Sequence, residues 1–424
     1  MTAPLTASAP TVTRGTSGHG AAASAPTWRL THRTGFWVTA ATFLVLMAFN
    51  TVPTPLYALY QERDRFPTFL ITVIFAAYSV GVMVSLFLAG HLSDRLGRRP
   101  LILAATGVEI AAAVMFTLWP DVTGLIVSRL VAGLGIGILT ASATAHLADL
   151  RRAHRPDSRT FAPTVAGIAN MGGLALGPLI GGLFAEFAPA PLLVPYIVFL
   201  LAFLGLGFAY AFVPETVERP AEPFHYRPQR VRVPDEGRRA YWAAGIAAFA
   251  AFAVTGLFGS VAPTFLVRIL GQSDHLVAGV VTFSVFGAAA LAQVVFARLT
   301  MPQQLRLGVG AMIVGLVLLG AADLSHSGLL FVGGGVVAGA GVGLLFRGAL
   351  AIAGALSDPR MRSEITSGIF LLAFAGMTVP PLAVGAALLI VPIVPVFLGF
   401  VVLVLALTVW AGAVILRESR RLAA

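Results

Sequence analysis

Gly90-His91-Leu92-Ser93-Asp94-Arg95-Leu96-Gly97-Arg98-Arg99 sets one acid and three arginines between two apolar runs. The run before it, Phe69 to Ala89, carries no charge, and the run after it, Leu101 to Trp119, carries only Glu109. Each run is long enough to cross a bilayer as a helix. A charged, glycine-bracketed turn between two such runs reads as a short loop at the membrane surface, and the rest of the chain can be placed from it.

Composition supports that placement. Of 424 residues, 58% are hydrophobic and 11% charged, against about 25% charged in soluble proteins. The mean hydropathy is +0.89. Spans in hydrocarbon must satisfy their own backbone, so helices or a closed barrel are required. The runs here are apolar all round rather than alternating in polarity, which favours helices over barrel strands. The expected fold class is therefore an all-α polytopic membrane protein. Cysteine is absent, which excludes disulfides, thiol catalysis and cysteine metal sites. All 28 basic residues are arginine, a bias that suggests a GC-rich bacterial genome.

Working outward, residues 1–35 are rich in Ala, Thr, Ser, Pro and Gly and contain no acid. They are expected to be a disordered cytoplasmic tail, with an organellar transit peptide as the less favoured reading. Twelve spans are expected at 36–58, 69–90, 100–119, 122–146, 161–185, 192–213, 241–267, 276–297, 305–324, 329–356, 364–390 and 393–416. The loop 214–239, rich in Pro and Arg, divides them into bundles 36–213 and 240–416, with 417–424 as a second tail. Only Arg63, Arg65 and Arg268 fall outside, and Arg129 and Arg347 fall within spans, if both termini are cytoplasmic. Arginine near span ends marks the cytoplasmic side. The net charge of +10 is thus a topology signal and an affinity for anionic lipid, and nucleic acid is not an expected partner.

An internal repeat supports the division. Val131-Ala132-Gly133-Leu134-Gly135-Ile136-Gly137 matches Val337-Ala338-Gly339-Ala340-Gly341-Val342-Gly343, 206 residues on. Thr51-Val52-Pro53-Thr54 resembles Ser260-Val261-Ala262-Pro263, and Gly177-Pro178-Leu179 resembles Pro380-Pro381-Leu382. Two parallel six-helix halves related by an axis along the membrane normal are a transporter architecture.

The chain resembles the major facilitator superfamily over about residues 36–416. Gly90, Leu92, Asp94, Arg95, Gly97, Arg98 and Arg99 fill the family's loop pattern Gly-x-Leu-x-Asp-Arg-x-Gly-Arg-Arg without a gap. Arg129 with Gly133, Gly135 and Gly137 is similar to the motif of span 4, and Pro214-Glu215-Thr216 to the family's exit from span 6. Gly173, Gly177, Pro178, Gly181 and Gly182 resemble the span 5 motif of the proton-coupled, 12-helix drug antiporters. The resemblance implies two pseudo-symmetric bundles, alternating access and a motif in span 5 that biases the carrier towards export. It also implies a cytoplasmic latch at Gly90, Asp94, Arg95, Gly97, Arg98 and Arg99, with Asp149 as a second acid. A plain topology signal with solvated charges is the alternative for that loop. Two departures stand out. The second copy of the loop, 297–306, has lost the acid and both glycines, and span 1 carries no acid.

Glu109 and Arg129 both lie inside apolar spans, where a charge costs about 2.5–3.5 kcal/mol or more. Glu109 precedes Pro120 by 11 residues and Arg129 follows it by nine. At about 1.5 Å rise per residue their depths differ by only about 3 Å. They are therefore candidates for a buried ion pair, either static or coupling the carrier to protons; the resemblance implies that span 3 lies outside the central cavity. Arg347 in span 10 is a candidate anion contact or a residue that snorkels to headgroups. Candidate substrate contacts are Asn50 and Tyr57 beside the prolines of span 1, then Tyr78, Asn170, Phe258, Phe265, Gln293 and Phe374. Each of these also has a packing reading. His146 reads as a headgroup-level residue. No metal-binding or phosphate-binding motif is present, and no catalytic residue is assigned.

These readings predict a secondary transporter of the bacterial plasma (inner) membrane, not an enzyme. It would export small amphipathic organic molecules by proton antiport as a monomer, with the proton as coupling ion and no cofactor. A proton-coupled importer of a small, possibly anionic, metabolite or sugar is the alternative. A non-transporting receptor or membrane enzyme is a remote third.

Overall fold

The structure, a computed structural model, describes residues 29–89, 96–154, 161–217, 233, 237–271, 274–356 and 362–423. All regular elements among them are helical. Helices α1 (His32–Phe49) and α2 (Pro53–Asp64) form span 1. Spans 2 to 4 are α3 (Thr68–Ala89), α4 (Arg98–Leu118) and α5 (Val122–His154). Span 5 comprises α6 (Phe161–Gly167), a π-helical turn (Ile168–Gly172) and α7 (Gly173–Phe187), and span 6 is α8 (Val194–Tyr210). In the second half, α9 (Arg238–Ser260) and α10 (Ala262–Leu270) form span 7. Spans 8 to 12 are α11 (His275–Val295), α12 (Met301–Ser325), α13 (Gly328–Ala355), α14 (Arg362–Ala387) and α15 (Ile393–Ala423). Among the described residues eleven spans have the length and apolarity to cross a membrane, and Val194–Tyr210 is a shorter apolar helix. The chain is a multi-pass membrane protein.

Helix ends differ from the expected ones where charge, rather than apolar sequence, continues the helix. The first helix begins at His32, inside the segment expected to lack structure, because Thr31 caps it through a bond from the Thr34 N–H. Span 4 runs on to His154 and span 12 to Ala423. In the last turns of span 4, Asp149 pairs with Arg152 at 2.8 Å. The tail 1–28, most of the loop 214–239, and Gly90, Asp94 and Arg95 lie outside the described residues.

Glycine decides how closely the helices pack. A Cβ at Gly133 would strike the Tyr78 carbonyl of span 2, and one at Gly137 would lie 2.6 Å from the Ser85 Cβ. Their repeat partners Gly339 and Gly343 meet the Val285 and Ala289 carbonyls of span 8 in the same way. Without a hydrophobic drive between helices in lipid, such close approach is a main source of association. Both halves therefore pack span 4 or 10 on span 2 or 8 by one rule.

The breaks also repeat. Span 1 breaks between Phe49 and Pro53, and span 7 breaks at Val261 before Pro263. Proline lacks the amide that would bond four residues back, so a carbonyl on the preceding turn is released at each break.

The halves meet through span 2 with span 11 and span 5 with span 8. Gly182 faces the Gly279 Cα, Gly385 faces Thr72, and Gly259 faces the Phe75 ring. All three approaches lie on the face away from the arginine-rich loops.

Candidate functional site

The break in span 1 builds a polar centre inside the first half. In a continuous helix the Thr54 N–H would bond to the Asn50 carbonyl, but here it bonds to Thr51 O at 3.1 Å. The released Asn50 carbonyl accepts from Arg129 Nη1 at 2.5 Å. The guanidinium of Arg129 stands over the Tyr78 ring, 4.6 Å from its centroid, and near Phe75 at 5.8 Å. Arg129 is 1% exposed. Its charge is held by one carbonyl and two ring faces, an arrangement that cation–π attraction favours in a desolvated site.

Glu109 completes the centre and is fully buried, at 0% exposure. Gly135 makes room for it: a Cβ there would lie 2.8 Å from Glu109 Oε1. At the repeat position in the second half, Gly341 admits backbone instead, the Met312 N at 2.6 Å. Neither Glu109 carboxyl oxygen has a hydrogen-bond partner among the described residues. The Asn50 amide lies beside the carboxyl yet donates to Leu46 O at 2.7 Å. The expected Glu109–Arg129 ion pair is not formed, because the Asn50 carbonyl has captured the guanidinium. Asn50 Oδ1, Thr54 Oγ1, Tyr57 Oη and Arg129 Nε are likewise buried without partners. So many unpartnered polar atoms at the span 1 break and on the residues beside it are unusual for a packed interior.

Sequence reasoning named Asn50, Tyr57, Tyr78, Glu109 and Arg129, and the structure brings them together. It separates the others. Phe258 and Phe265 are enclosed in the second half, Phe265 stacked on Phe331 at 4.6 Å, and they present no face to a substrate in this conformation. Phe374 packs between the halves, 5.8 Å from Phe252. Phe252, Phe346 and Phe370 extend that cluster, with Phe252–Phe346 at 4.7 Å and Phe346–Phe370 at 5.5 Å. Those three were missed, although Phe370 sits one helical turn before Phe374. Asn170 lies half-buried in the π turn of span 5.

Arg347 donates through Nη1 to the Gln293 carbonyl at 2.5 Å. Gln293 is in the last turn of span 8, where carbonyls have no intrahelical partner. Arg347 thus caps a helix C-terminus, while Gln293 Nε2 remains buried without a partner.

At the arginine-rich face, Arg98 Nε lies 3.3 Å from Asp149 Oδ2. The Arg99 guanidinium donates to the Ala211 carbonyl of span 6. Glu215, whose role the sequence did not reveal, ties the loop down. Its carboxylate accepts the Arg98 and Arg99 amides at 3.1 and 3.0 Å, and those of Thr216 and Val217 at 2.8 and 3.1 Å. It sits on the N-terminus of α4, where negative charge is favoured. Gly97 precedes that helix at φ +98°, a conformation that favours glycine. His146, expected as a headgroup-level residue, is enclosed by protein at the exit of span 6. It is 0% exposed, with Nδ1 2.5 Å from the Tyr210 hydroxyl and Nε2 3.1 Å from Pro214 O.

The span 5 motif is a three-way junction. Gly173, Gly177 and Gly181 face the backbone of span 1 at Leu44, Ala48 and Val52. Thr51 Oγ1 donates to Leu174 O at 2.9 Å. A Cβ at Gly279 of span 8 would lie 2.5 Å from Pro178 O. The motif therefore joins the broken helix carrying Asn50 to the opposite half.

A helical bundle of this kind is matched by known transporters. The sequence profile of the Major Facilitator Superfamily matches residues 38–302, more than half of the chain. The chain belongs to the Major Facilitator Superfamily. It is similar to the multidrug transporter MdfA of Yersinia pestis, 28% identical over 283 residues, which are 63% of this chain and 66% of that protein. Major facilitator superfamily domain-containing protein 10 of Mus musculus is 34% identical over 146 residues, 34% of this chain and 30% of that protein. Both matches span less than two thirds of the relative's own length. Among solved structures, the human organic anion transporter MFSD10 superposes with a TM-score of 0.64 at 17% identity, covering 91% of this chain and all of that one. A POT family transporter in complex with 5-aminolevulinic acid gives a TM-score of 0.71 at 13% identity, covering 92% of this chain and 97% of that one. These likenesses establish the fold.

Proposed function

We propose that this Major Facilitator Superfamily transporter exports small amphipathic organic molecules across a bacterial plasma membrane by proton antiport. Glu109 is the residue proposed to bind the proton. The observation that carries this reading is the fully buried Glu109 carboxyl, with no ion-pair partner among the described residues and only the Asn50 amide beside it, held apart from Arg129 by the Asn50 carbonyl. A carboxyl responds to the approach of a cation by releasing its proton. A change at the span 1 break that frees Arg129 to reach Glu109 would therefore drive proton release. The same break rests on the span 5 junction with the second half, so rocking of the halves has a physical route to the proton site. The phenylalanine cluster between the halves suits lipophilic cargo, and the similarity to a multidrug transporter supports export. The alternative of anion import through Arg347 loses support, since that guanidinium caps span 8. The Arg98–Asp149 pair and the Glu215 clamp tie together the cytoplasmic ends of spans 3, 4 and 6 within the first half, so they would move with it as one body.

Inside-out vesicles carrying the protein test the reading. Under an imposed proton gradient they should accumulate a lipophilic cation such as ethidium, with proton movement on its addition. Glu109→Gln should retain ethidium binding while losing both proton movement and the pH dependence of uptake. Unchanged pH dependence would remove Glu109 from the coupling step.

A further inference from the structure

The arginine-rich face holds a cavity that shares no lining residue with the polar centre of the first half. It has a volume of about 320 Å³ and is lined by His32, Arg33, Phe36, Trp37, Leu150, Arg151, His154 and Phe161. That is at the lower end of the range for small-ligand sites, about 300–1,000 Å³. It lies where the start of span 1, the end of span 4 and the start of span 5 converge. Among the described residues, two arginines and two histidines line it and no acid does. Asp149, two residues before Arg151, is turned away and engaged with Arg98 and Arg152.

Arg151 is the most specific element. Its guanidinium lies 4.3 Å from the Phe161 ring centroid, and its Nε is buried with no hydrogen-bond partner. Phe161 stacks in turn on Phe36, with centroids 5.8 Å apart. The cation is therefore positioned by aromatic faces, which leave its donors unspent. Trp37 forms the outer wall and is 54% exposed, as suits an indole at the membrane interface.

The arrangement recurs in the other half. Arg239 and Trp242 follow Arg33 and Phe36 by the repeat interval of 206 residues. Both line a second cavity, of about 460 Å³, with Arg238, Trp410, Val414, Arg417 and Glu418. That cavity includes a carboxylate, so among the described residues the first has the purer positive lining.

We infer that the cavity between Arg33, Arg151 and His154 is a binding site for the phosphate headgroup of an anionic phospholipid. Paired arginines match phosphate oxygens geometrically. The aromatic wall accommodates the glycerol and upper acyl carbons, and the interfacial position presents the site to one leaflet. The inference rests on the membrane fold and not on the proposed substrate or proton site, so failure of either leaves the other standing.

Native mass spectrometry of the detergent-solubilised full chain, titrated with dioleoylphosphatidylglycerol, tests it. Arg33→Gln/Arg151→Gln should weaken the tightest lipid-binding step by about tenfold or more. Arg33→Gln alone changes an exposed side chain and should weaken it by a smaller factor, which keeps the test valid if the double variant folds poorly. Arg298→Gln/Arg306→Gln, on the same face, should leave that step unchanged. Three results would overturn the site: equal binding by the Arg33 and Arg151 variants, an equal loss in the Arg298/Arg306 control, or displacement of the lipid by an equal concentration of inorganic phosphate, which would assign the cavity to a soluble anion.

Discussion

Gly135 and Glu109 show how one missing Cβ creates a site. A methyl group at Gly135 would fall 2.8 Å from Glu109 Oε1, so Gly135→Ala must move either the carboxyl or span 4. Overpacking of this kind costs about 1–3 kcal/mol. The expected outcome is a folded carrier with a lowered melting temperature and proton-driven uptake impaired in the same sense as in Glu109→Gln. Gly341→Ala, in the matching position of the second half, should destabilise without altering the pH profile of uptake. A pH profile changed equally by both would mean that general loosening, not the carboxyl's place, sets coupling. The sequence already marked Glu109 and Arg129 as neighbours in depth, because each interrupts an apolar span and Pro120 fixes their hairpin. It did not reveal that they stay unpaired. That outcome depends on the Asn50 carbonyl, which is released only once Thr54 turns its amide to Thr51. Backbone acceptors freed by a break leave no mark in side-chain identity.

Among the elements, α4 depends on a carboxylate from another part of the chain. Glu215 lies 117 residues from Arg98 in sequence and accepts both of the first two amides of that helix. Glu215→Gln keeps the shape and removes the charge, which should cost about 0.3–1 kcal/mol at a helix N-terminus. Gly97→Ala should cost more, since it combines φ +98° with a Cβ 2.6 Å from Glu215 Oε2. Thermal unfolding should rank the variants in that order, and limited proteolysis between spans 2 and 3 should accelerate in both. The reverse order would mean that charge, not backbone conformation, dominates the cap. The loop's arginines and glycines were legible as a motif, whereas Glu215 was visible only as part of the exit from span 6. The second loop had lost its acid, and its structure shows what replaced it. Thr300 and Gln303 form a capping box, and Gln304 Nε2 donates to Phe296 O and Leu299 O at 3.1 and 2.8 Å. Neutral amides hold that turn, where the corresponding turn of the first half uses the Glu215 carboxylate.

At the scale of the whole molecule, the repeat of 206 residues was readable from glycines alone, and the packing explains why. Gly133 and Gly339, like Gly137 and Gly343, perform the same task against spans 2 and 8, so both copies are held to glycine by the same backbone contact. What glycines could not reveal was where the halves touch, because that depends on which conformation the carrier adopts. Here the close approaches at Thr72–Gly385, Phe75–Gly259 and Gly182–Gly279 all lie on the face opposite the arginine-rich loops. If the halves rock, these contacts must open in the other state. The absence of native cysteine makes that directly testable. A Cβ at Gly385 would lie 3.1 Å from the Thr72 Cβ, a few tenths of an ångström inside the usual disulfide range of about 3.5–4.5 Å. Thr72→Cys/Gly385→Cys should therefore cross-link on mild oxidation. The oxidised protein should lose transport while still binding ethidium from the arginine-rich side, and reduction should restore transport. Full transport by the cross-linked protein would show that the face away from the loops does not open during the cycle, and rocking of the two halves about a central site would have to be abandoned.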